Sequence, residues 1–274
     1  MPDSNTIFIT GASSGIGRAT AEHFQRNGWN VVATMRNPDD GAQLASLPRV
    51  LVVRLDVTDH PSIDAAVAAG LQRFGRIDVL FNNAGYGAYG PLEAFPMDRI
   101  ERQFDTNVMG LIATTKAVLP HFRANRSGFI VNVSSVGGQV TFPLGALYHG
   151  TKFAVEGISE ALHFEMAAIG VKVKIIEPGL IATDFGGRSF DFVNDESLTE
   201  YQTTVAGVMR GFTSGAGEAT PPSAVAEVVW DSVTDGTDTL RYRAGADAVA
   251  LLDSRKALDD ATFFAAIKSR MGLA

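Results

Sequence analysis

The sequence predicts a doubly wound parallel α/β sheet with helices on both faces. Three observations lead there. Short runs of β-branched and apolar residues are mostly unbroken rather than alternating, as in strands covered on both faces. Up to about residue 180 these runs alternate with longer helical patterns, the rhythm of parallel βαβ units. A glycine-rich turn follows the first run directly. Sheets of this kind bind ligands beyond the carboxyl ends of their strands, so chemistry is expected just after each strand.

Thr6 to Thr10 reads as the first strand, with a helix over about 15–27 after it. Asn30 to Thr34 and Val50 to Leu55 read as strands two and three. Pro61 to Phe74 is an Ala-rich helix with proline near its start, where a missing N–H costs nothing. Asp78 to Phe81 is the fourth strand, Phe129 to Val133 the fifth and Val171 to Ile176 the sixth, with helices at about 98–124 and 148–169. The texture then changes. Residues 184–222 carry Gly186-Gly187, aromatics and Pro221-Pro222, and only helix-like stretches are expected there, with no regular strand. A long irregular segment in a compact domain reads as a lid or binding loop. A helix over 223–233, a last strand over 239–242 and two short helices close the chain. With no repeat and no linker composition, residues 1–274 read as one domain containing a 184–222 lid.

Composition narrows the chemistry. The 274 residues include 30 Asp plus Glu against 23 Lys plus Arg, a net charge of −7, and 28 Gly but no Cys. Disulfides, thiolate metal sites and a Cys nucleophile are therefore excluded. An acidic chain without a basic tract argues against a nucleic-acid partner. The start, Met1 to Asn5, has no basic segment leading into an apolar one, and no run of ~18 apolar residues occurs, so a soluble cytoplasmic protein without a membrane span is expected. His23, His60, His121, His149 and His163 form no metal-ligand spacing and read as structural, so no metal is expected.

The chemistry-bearing motifs sit where the fold would put them. Thr10-Gly11-Ala12-Ser13-Ser14-Gly15-Ile16-Gly17 links the first strand to a helix. Glycines let backbone approach a phosphate closely, and the helix start offers free N–H groups and partial positive charge. The same residues match a hydrolase nucleophile elbow, G-x-S-x-G, but too little chain precedes Ser13 to build the sheet and oxyanion loop it needs. Asp56-Val57 follows strand three and Asn82-Asn83-Ala84-Gly85 follows strand four; alone, Asp56 reads as a cap and the tetrapeptide as a polar turn. Asn107 lies inside a helix, where an Asn needs a reason. Ser134-Ser135 ends strand five. Tyr148 and Lys152, four apart, share one helix face. A phenol titrates near ~10, and a neighbouring ammonium lowers that value, so the pair can pass a proton to or from a substrate oxygen. Pro178-Gly179 and Thr183 follow strand six.

In this order and spacing the motifs resemble the short-chain dehydrogenase/reductase family, over about residues 6–185. The resemblance implies a Rossmann-type fold and reversible hydride transfer between nicotinamide C4 and a carbonyl or alcohol carbon. It implies that Tyr148 is the acid–base residue, that Lys152 lowers its pKa and holds the nicotinamide ribose, and that Ser135 binds the substrate oxygen. Ser135 is favoured over Ser134 by its interval of thirteen residues to Tyr148. Asn107 would anchor a relay water. Gly11, Ser13, Ser14, Gly15, Ile16 and Gly17 would cradle the phosphates. Asp56 and Val57 would meet the adenine, and Asn83, Ala84 and Gly85 the adenosine side. Pro178, Gly179 and Thr183 would meet the nicotinamide. The family is usually oligomeric, which implies a homodimer or homotetramer joined through the Tyr148 helix, with Phe153, Ile158 and Phe164 as apolar contacts.

Cofactor preference is set at the end of strand two, where an acid accepts from a ribose 2′-OH and a base meets a 2′-phosphate. Met35 stands in the acid's place and Arg36 follows, while Asp39 and Asp40 lie too far along, so NADP(H) is expected over NAD(H). Tyr86, Tyr89, Phe142, Leu144, Phe185, Phe190 and Phe192 are candidate substrate walls and point to an apolar carbonyl or alcohol, with simple lid packing as the alternative. The wording around Met35-Arg36 and residues 148–160 is loosely similar to the hydroxysteroid and retinol dehydrogenase branch. An epimerase or dehydratase on the same scaffold and a non-catalytic nicotinamide-binding sensor are the rival readings. The intact Ser135, Tyr148, Lys152 and Asn107 speak against the sensor.

Overall fold

In the computed structural model, which describes residues 4–183, 189–214 and 219–273, the chain enters at the middle of its sheet. Strand β1 (Thr6–Ile9) leads through α1 (Gly15–Arg26) to β2 (Asn30–Met35), then through a 3-10 turn and the short α2 (Ala42–Ala45) to β3 (Val50–Arg54). Helix α3 (His60–Phe74) carries the chain back across β1 to β4 (Val79–Asn82) on its other side. After β5 (Gly87–Tyr89), α4 (Met97–Phe104) and α5 (Gly110–Asn125) comes β6 (Gly128–Val133); α6 (Ala146–Ala167) leads to β7 (Val171–Pro178). Strand β8 (Phe190–Phe192), α7 (Gln202–Ser214), α8 (Pro222–Thr234), β9 (Arg241–Ala244), α9 (Ala246–Ala257) and α10 (Asp260–Arg270) follow.

The seven-stranded sheet runs β3-β2-β1-β4-β6-β7-β9, with parallel pairing throughout. Strand order reverses between β1 and β4, which opens a crevice at their carboxyl ends. Alternate residues of each strand feed two cores. Ile7, Ile9, Val31, Val79 and Phe81 meet Phe24 of α1 and Val225 and Val229 of α8 on one face. Phe8, Val32, Leu80 and Ile130 meet Ile63 and Val67 of α3 and Val118 and Phe122 of α5 on the other. Burial on both faces is why the strands read as unbroken apolar runs.

Three expectations are corrected. The helix expected over 98–124 is two helices joined by a π-helical turn over 105–109. The 184–222 segment does contain a strand: β8 pairs in parallel with β5, Gly87 opposite Phe190 and Tyr89 opposite Phe192. Three residues cannot announce themselves as a strand; a distant partner makes them one. The last strand lies two residues later than expected, because Arg241 and Arg243 find acidic partners on neighbouring elements. Among the described residues no helix is long and apolar enough to cross a membrane.

Candidate active site

The turn after β1 is shaped by contacts that leave no room for side chains. Gly11 and Gly15 adopt φ of +68° and +53°, in the left-handed region that favours glycine. A Cβ on Gly17 would lie 2.3 Å from the Gly11 carbonyl oxygen, so α1 can start this close to the loop only with glycine there. Ser14 is the N-cap of α1, yet its side chain does not cap the helix. Asn83, just beyond β4, donates through Nδ2 to the carbonyls of Thr10 (2.9 Å) and Gly11 (3.1 Å), and Thr10 Oγ1 accepts from the Asn83 and Ala84 N–H groups. The loop is thus locked to β4 in a form that presents backbone at a helix N-terminus, which fits a phosphate-bearing nucleotide. Ser13 and Ile16 lie in the same turn. Thr183, beyond β7, comes within 3.2 Å of the Gly15 Cβ position, and Gly15, Arg18, Ala182, Thr183, Pro222 and Ser223 line an open cleft.

The neighbouring motifs fall around this crevice. Asp56 Oδ1 accepts from the Thr58 N–H and hydroxyl, a local turn; Val57 is buried against Gly110, where a Cβ would come within 2.7 Å of it. A Cβ on Gly179 would lie 2.1 Å from Asp247 Oδ2, which accepts the Leu180 N–H, so glycine lets the chain turn against α9 directly after Pro178. Met35 is buried in the core beneath Gly41, whereas Arg36 is exposed at the tip of β2.

Behind the tetrapeptide, Asn82 donates to Asn132 Oδ1 (2.9 Å) and Thr115 Oγ1 (3.0 Å), and Asn132 donates to Ser159 Oγ (2.8 Å), tying β4, β6, α5 and α6 through buried amides. Asn107 occupies the π turn. Its Oδ1 accepts the Tyr86 N–H (3.0 Å), and its Nδ2 donates to the Tyr86 carbonyl (2.8 Å) and Thr151 Oγ1 (3.1 Å). A π turn is a frequent mark of a functional position, and here it turns an amide toward α6, one residue before Lys152.

Ser135, Tyr148 and Lys152 converge where β6 ends. Ser135 Oγ accepts the Gly137 N–H (3.0 Å), and its hydroxyl is hydrogen-bonded to Tyr148. Lys152 Nζ donates to the Val133 carbonyl (2.9 Å) and lies 5.8 Å from the Tyr148 ring centre. Burial lowers Lys152 to about 8, against the opposing pull of Glu156. One expectation is reversed: Tyr148 is raised, not lowered. Burial outweighs the Ser135 hydrogen bond, and the ammonium is held by the Val133 carbonyl against the ring face. Asn107 makes no hydrogen bond to Lys152 among the described residues and reaches its helix through Thr151.

The candidate substrate walls separate into groups. Tyr89 is buried and stacks on Phe190 (5.4 Å), which stacks on Phe192 (6.1 Å); Tyr89 also faces Tyr148 at 5.4 Å. Tyr86 lies under Arg102, which donates to its hydroxyl. Leu144 has φ +66° and accepts the Gly90 N–H (2.8 Å). Phe142 packs with Val140, Leu252 and Phe263 toward the C-terminal helices, and its ring also meets His149 (5.7 Å), which packs against Tyr89 (6.0 Å). Phe185 and residues 184–188 and 215–218 of the expected lid lie outside the described residues.

Several contributors escaped sequence reasoning. Asp191 of β8 pairs with Arg99 (3.3 Å) and Arg102 (2.7 Å) of α4, and buried Gln103 bonds the Ala88 N–H and Tyr86 carbonyl, so α4 clasps the small β5–β8 sheet. An i, i+3 Arg pair on one helix face is their only sequence signal. His149 spans the loop after Ser135: Nδ1 meets the Gly137 carbonyl and Nε2 accepts the Phe142 N–H, each at 3.0 Å. Burial lowers its pKa, so it stays the neutral tautomer this bridge needs.

The family model for the short chain dehydrogenase matches residues 5–193. An uncharacterized oxidoreductase of Schizosaccharomyces pombe is 46% identical over 239 residues, covering 87% of this chain and all of that one. The crystal structure of a short-chain dehydrogenase from Streptomyces avermitilis superposes with a TM-score of 0.84 at 36% identity, covering 94% of this chain and 95% of the other. A short-chain dehydrogenase/reductase from Burkholderia phymatum, solved in complex with NAD, superposes with a TM-score of 0.79 at 25% identity, covering 93% and 92%.

Proposed function

The chain belongs to the short-chain dehydrogenase/reductase family, and from that premise we propose that it is an NADP(H)-dependent oxidoreductase interconverting an apolar carbonyl compound and its secondary alcohol. The observation that carries this reading is the convergence of Ser135, Tyr148 and Lys152 at the end of β6, beside the glycine cradle of β1.

When bound, the nicotinamide supplies the hydride. Gly11, Ser13, Ser14, Gly15, Ile16 and Gly17 would hold its phosphates, with Asp56, Val57, Asn83, Ala84 and Gly85 along the adenosine and Pro178, Gly179 and Thr183 around the nicotinamide end. Arg36 would meet the 2′-phosphate: it is exposed, and the acid's place beside it holds a core methionine. The substrate oxygen would rest between the Ser135 and Tyr148 hydroxyls. Burial keeps Tyr148 protonated at neutral pH, which suits it to donate a proton to a developing alkoxide. The resulting phenolate is stabilised by Ser135 and by the Lys152 ammonium against its ring. Lys152 would also hold the ribose. Asn107, fixed by Tyr86 and Thr151, would anchor the relay path that returns the proton. The stacked Tyr89, Phe190 and Phe192 support an apolar substrate. Exposed Phe153 and Phe164 on α6 support self-association through that helix, as a homodimer or homotetramer.

A panel of ketones, aldehydes and alcohols assayed with both nicotinamides in each redox state tests the reading. NADPH consumption with an apolar carbonyl is expected. Tyr148→Phe should abolish turnover while leaving nucleotide binding nearly intact, and full turnover by that variant overturns the assignment. A protein that uses NADH better than NADPH overturns the role of Arg36.

A further inference from the structure

Behind Lys152 lies a buried acid cluster that the chemistry above does not use. Glu156 stands one turn after Lys152 on α6 with its side chain 8% exposed, and Glu177, near the end of β7, is 1% exposed. Arg241 of β9 faces both, its Nε 3.0 Å from Glu156 Oε2 and 3.8 Å from Glu177 Oε1, and also pairs with solvent-facing Glu160 at 2.5 Å. Gln139 donates to Glu177 Oε1. The other oxygens, Glu156 Oε1 and Glu177 Oε2, are buried; the nearby Ser134 hydroxyl favours the Glu156 carboxylate but falls short of good hydrogen-bond geometry, and Glu177 Oε2 has no partner in such geometry. Gly138 makes the room: a Cβ there would fall 2.5 Å from Ser134 Oγ and 2.9 Å from Glu156 Cγ.

The charges do not balance if every acid is ionised. The carboxyls of Glu156, Glu160 and Glu177 face two cations, Arg241 and Lys152; Arg243, which also acts on Glu177, is held by Asp253 at 2.6 Å. A buried carboxylate without full compensation takes up a proton rather than pay for desolvation. Burial and the Glu156 charge push Glu177 up to about 7, and burial raises Glu156 as well. Three functional segments meet on this cluster. Ser134 and Gln139 flank Ser135, Glu156 follows Lys152, and Glu177 precedes Pro178-Gly179.

We propose that Glu156 and Glu177 are positioning residues that share one proton at neutral pH, and that the single negative charge they retain holds Lys152 as an ammonium beneath Tyr148. This deepens the Ser-Tyr-Lys reading and rests on it. Burial drives Lys152 toward the neutral amine, and Glu156 opposes that drive.

Two measurements on the 274-residue chain test it. The first needs no substrate: thermal unfolding from pH 5 to 8 of the wild type and Glu177→Gln. An acid raised from 4.5 to about 7 by folding contributes stability that is complete below the unfolded value and lost as pH rises through the folded one. The wild-type melting temperature should therefore fall relative to Glu177→Gln across this window, and parallel curves overturn the shared proton. The second reads Lys152 through the alkaline limb of kcat/KM with NADPH, or of NADPH binding followed by fluorescence where no turnover is found. Glu156→Gln should move that limb down by about one pH unit, and Glu156→Asp should restore part of the shift. Glu177 is itself ionised by the pH of that limb but acts on Lys152 less directly than Glu156, so Glu177→Gln should move the limb down by clearly less than Glu156→Gln. A Glu156→Gln profile superposing on the wild type overturns the proposal, as does a downward shift of about a full pH unit or more in Glu177→Gln, which decides the matter should Glu156→Gln fail to fold. Absence of carbonyl turnover would count against the proposed reaction while leaving the melting curves to decide the shared proton.

Discussion

The two sides of the cleft are built by different means. On the nucleotide side, the contacts are made onto tightly packed backbone: Gly17 admits the Gly11 carbonyl, Gly179 admits the Asp247 carboxylate, and the Asn83 amide locks two loop carbonyls. On the substrate side, β5 and β8 are held by side chains, with Arg99 and Arg102 gripping Asp191 and a file of rings running from Tyr148 through Tyr89 to Phe190 and Phe192. Backbone contacts fix one geometry and tolerate little substitution. Side-chain contacts can be exchanged one at a time, so the substrate side is where one scaffold acquires different substrates.

The largest expected effect tests the rigid side. Gly17→Ala places a methyl group 2.3 Å from the Gly11 oxygen. Relief requires the loop or α1 to move, and overpacking of this kind costs about 1–3 kcal/mol. If the loss falls on the nucleotide-binding form, NADPH affinity drops about 5- to 150-fold, measurable by fluorescence titration. Wild-type affinity in that variant would break the comparison at its stronger end.

A smaller effect is expected at the tip of β2. Arg36→Ser removes the proposed partner of the 2′-phosphate, and a charge-assisted hydrogen bond contributes about 1.5–3 kcal/mol. The kcat/KM ratio of NADPH to NADH should fall about 10- to 150-fold on that basis. Adding Met35→Asp is a poorer experiment than the sequence suggests, because Met35 is a core residue and an acid there would be buried without a partner.

What was legible in the sequence follows the same division. The glycine turn, the strands on either side of the crevice and the motifs after them can be read because each depends on local backbone demands. Strand β8 cannot, since Phe190-Asp191-Phe192 becomes a strand only against Gly87 to Tyr89 and under two arginines some ninety residues earlier. The π turn at Asn107 depends on the Tyr86 backbone, which no helical periodicity contains. The bounds of β9 are hidden because its arginines look exposed until Glu156 and Asp253 stand opposite them. The direction of the Tyr148 shift is not legible either, because spacing gives the distance to Lys152 along the helix, not the depth of burial or the carbonyl that holds the ammonium.

The smallest effect sharpens the comparison most. Asp191 is 16% exposed, but Arg99 and Arg102 are 41% and 57% exposed, so solvent screens both pairs and each contributes at most about 1 kcal/mol. Asp191→Asn keeps the shape and an acceptor oxygen while removing the charge. Phe190 should then sit less firmly on Tyr89, and KM for an apolar carbonyl should rise about 2- to 5-fold, with kcat and NADPH affinity unchanged. Added salt should raise the wild-type KM toward the variant's, because screening does to the pairs what the substitution does. If NADPH affinity instead falls in step with KM, the β5–β8 sheet and the glycine cradle move as one body, and the division between a rigid nucleotide side and an exchangeable substrate side fails.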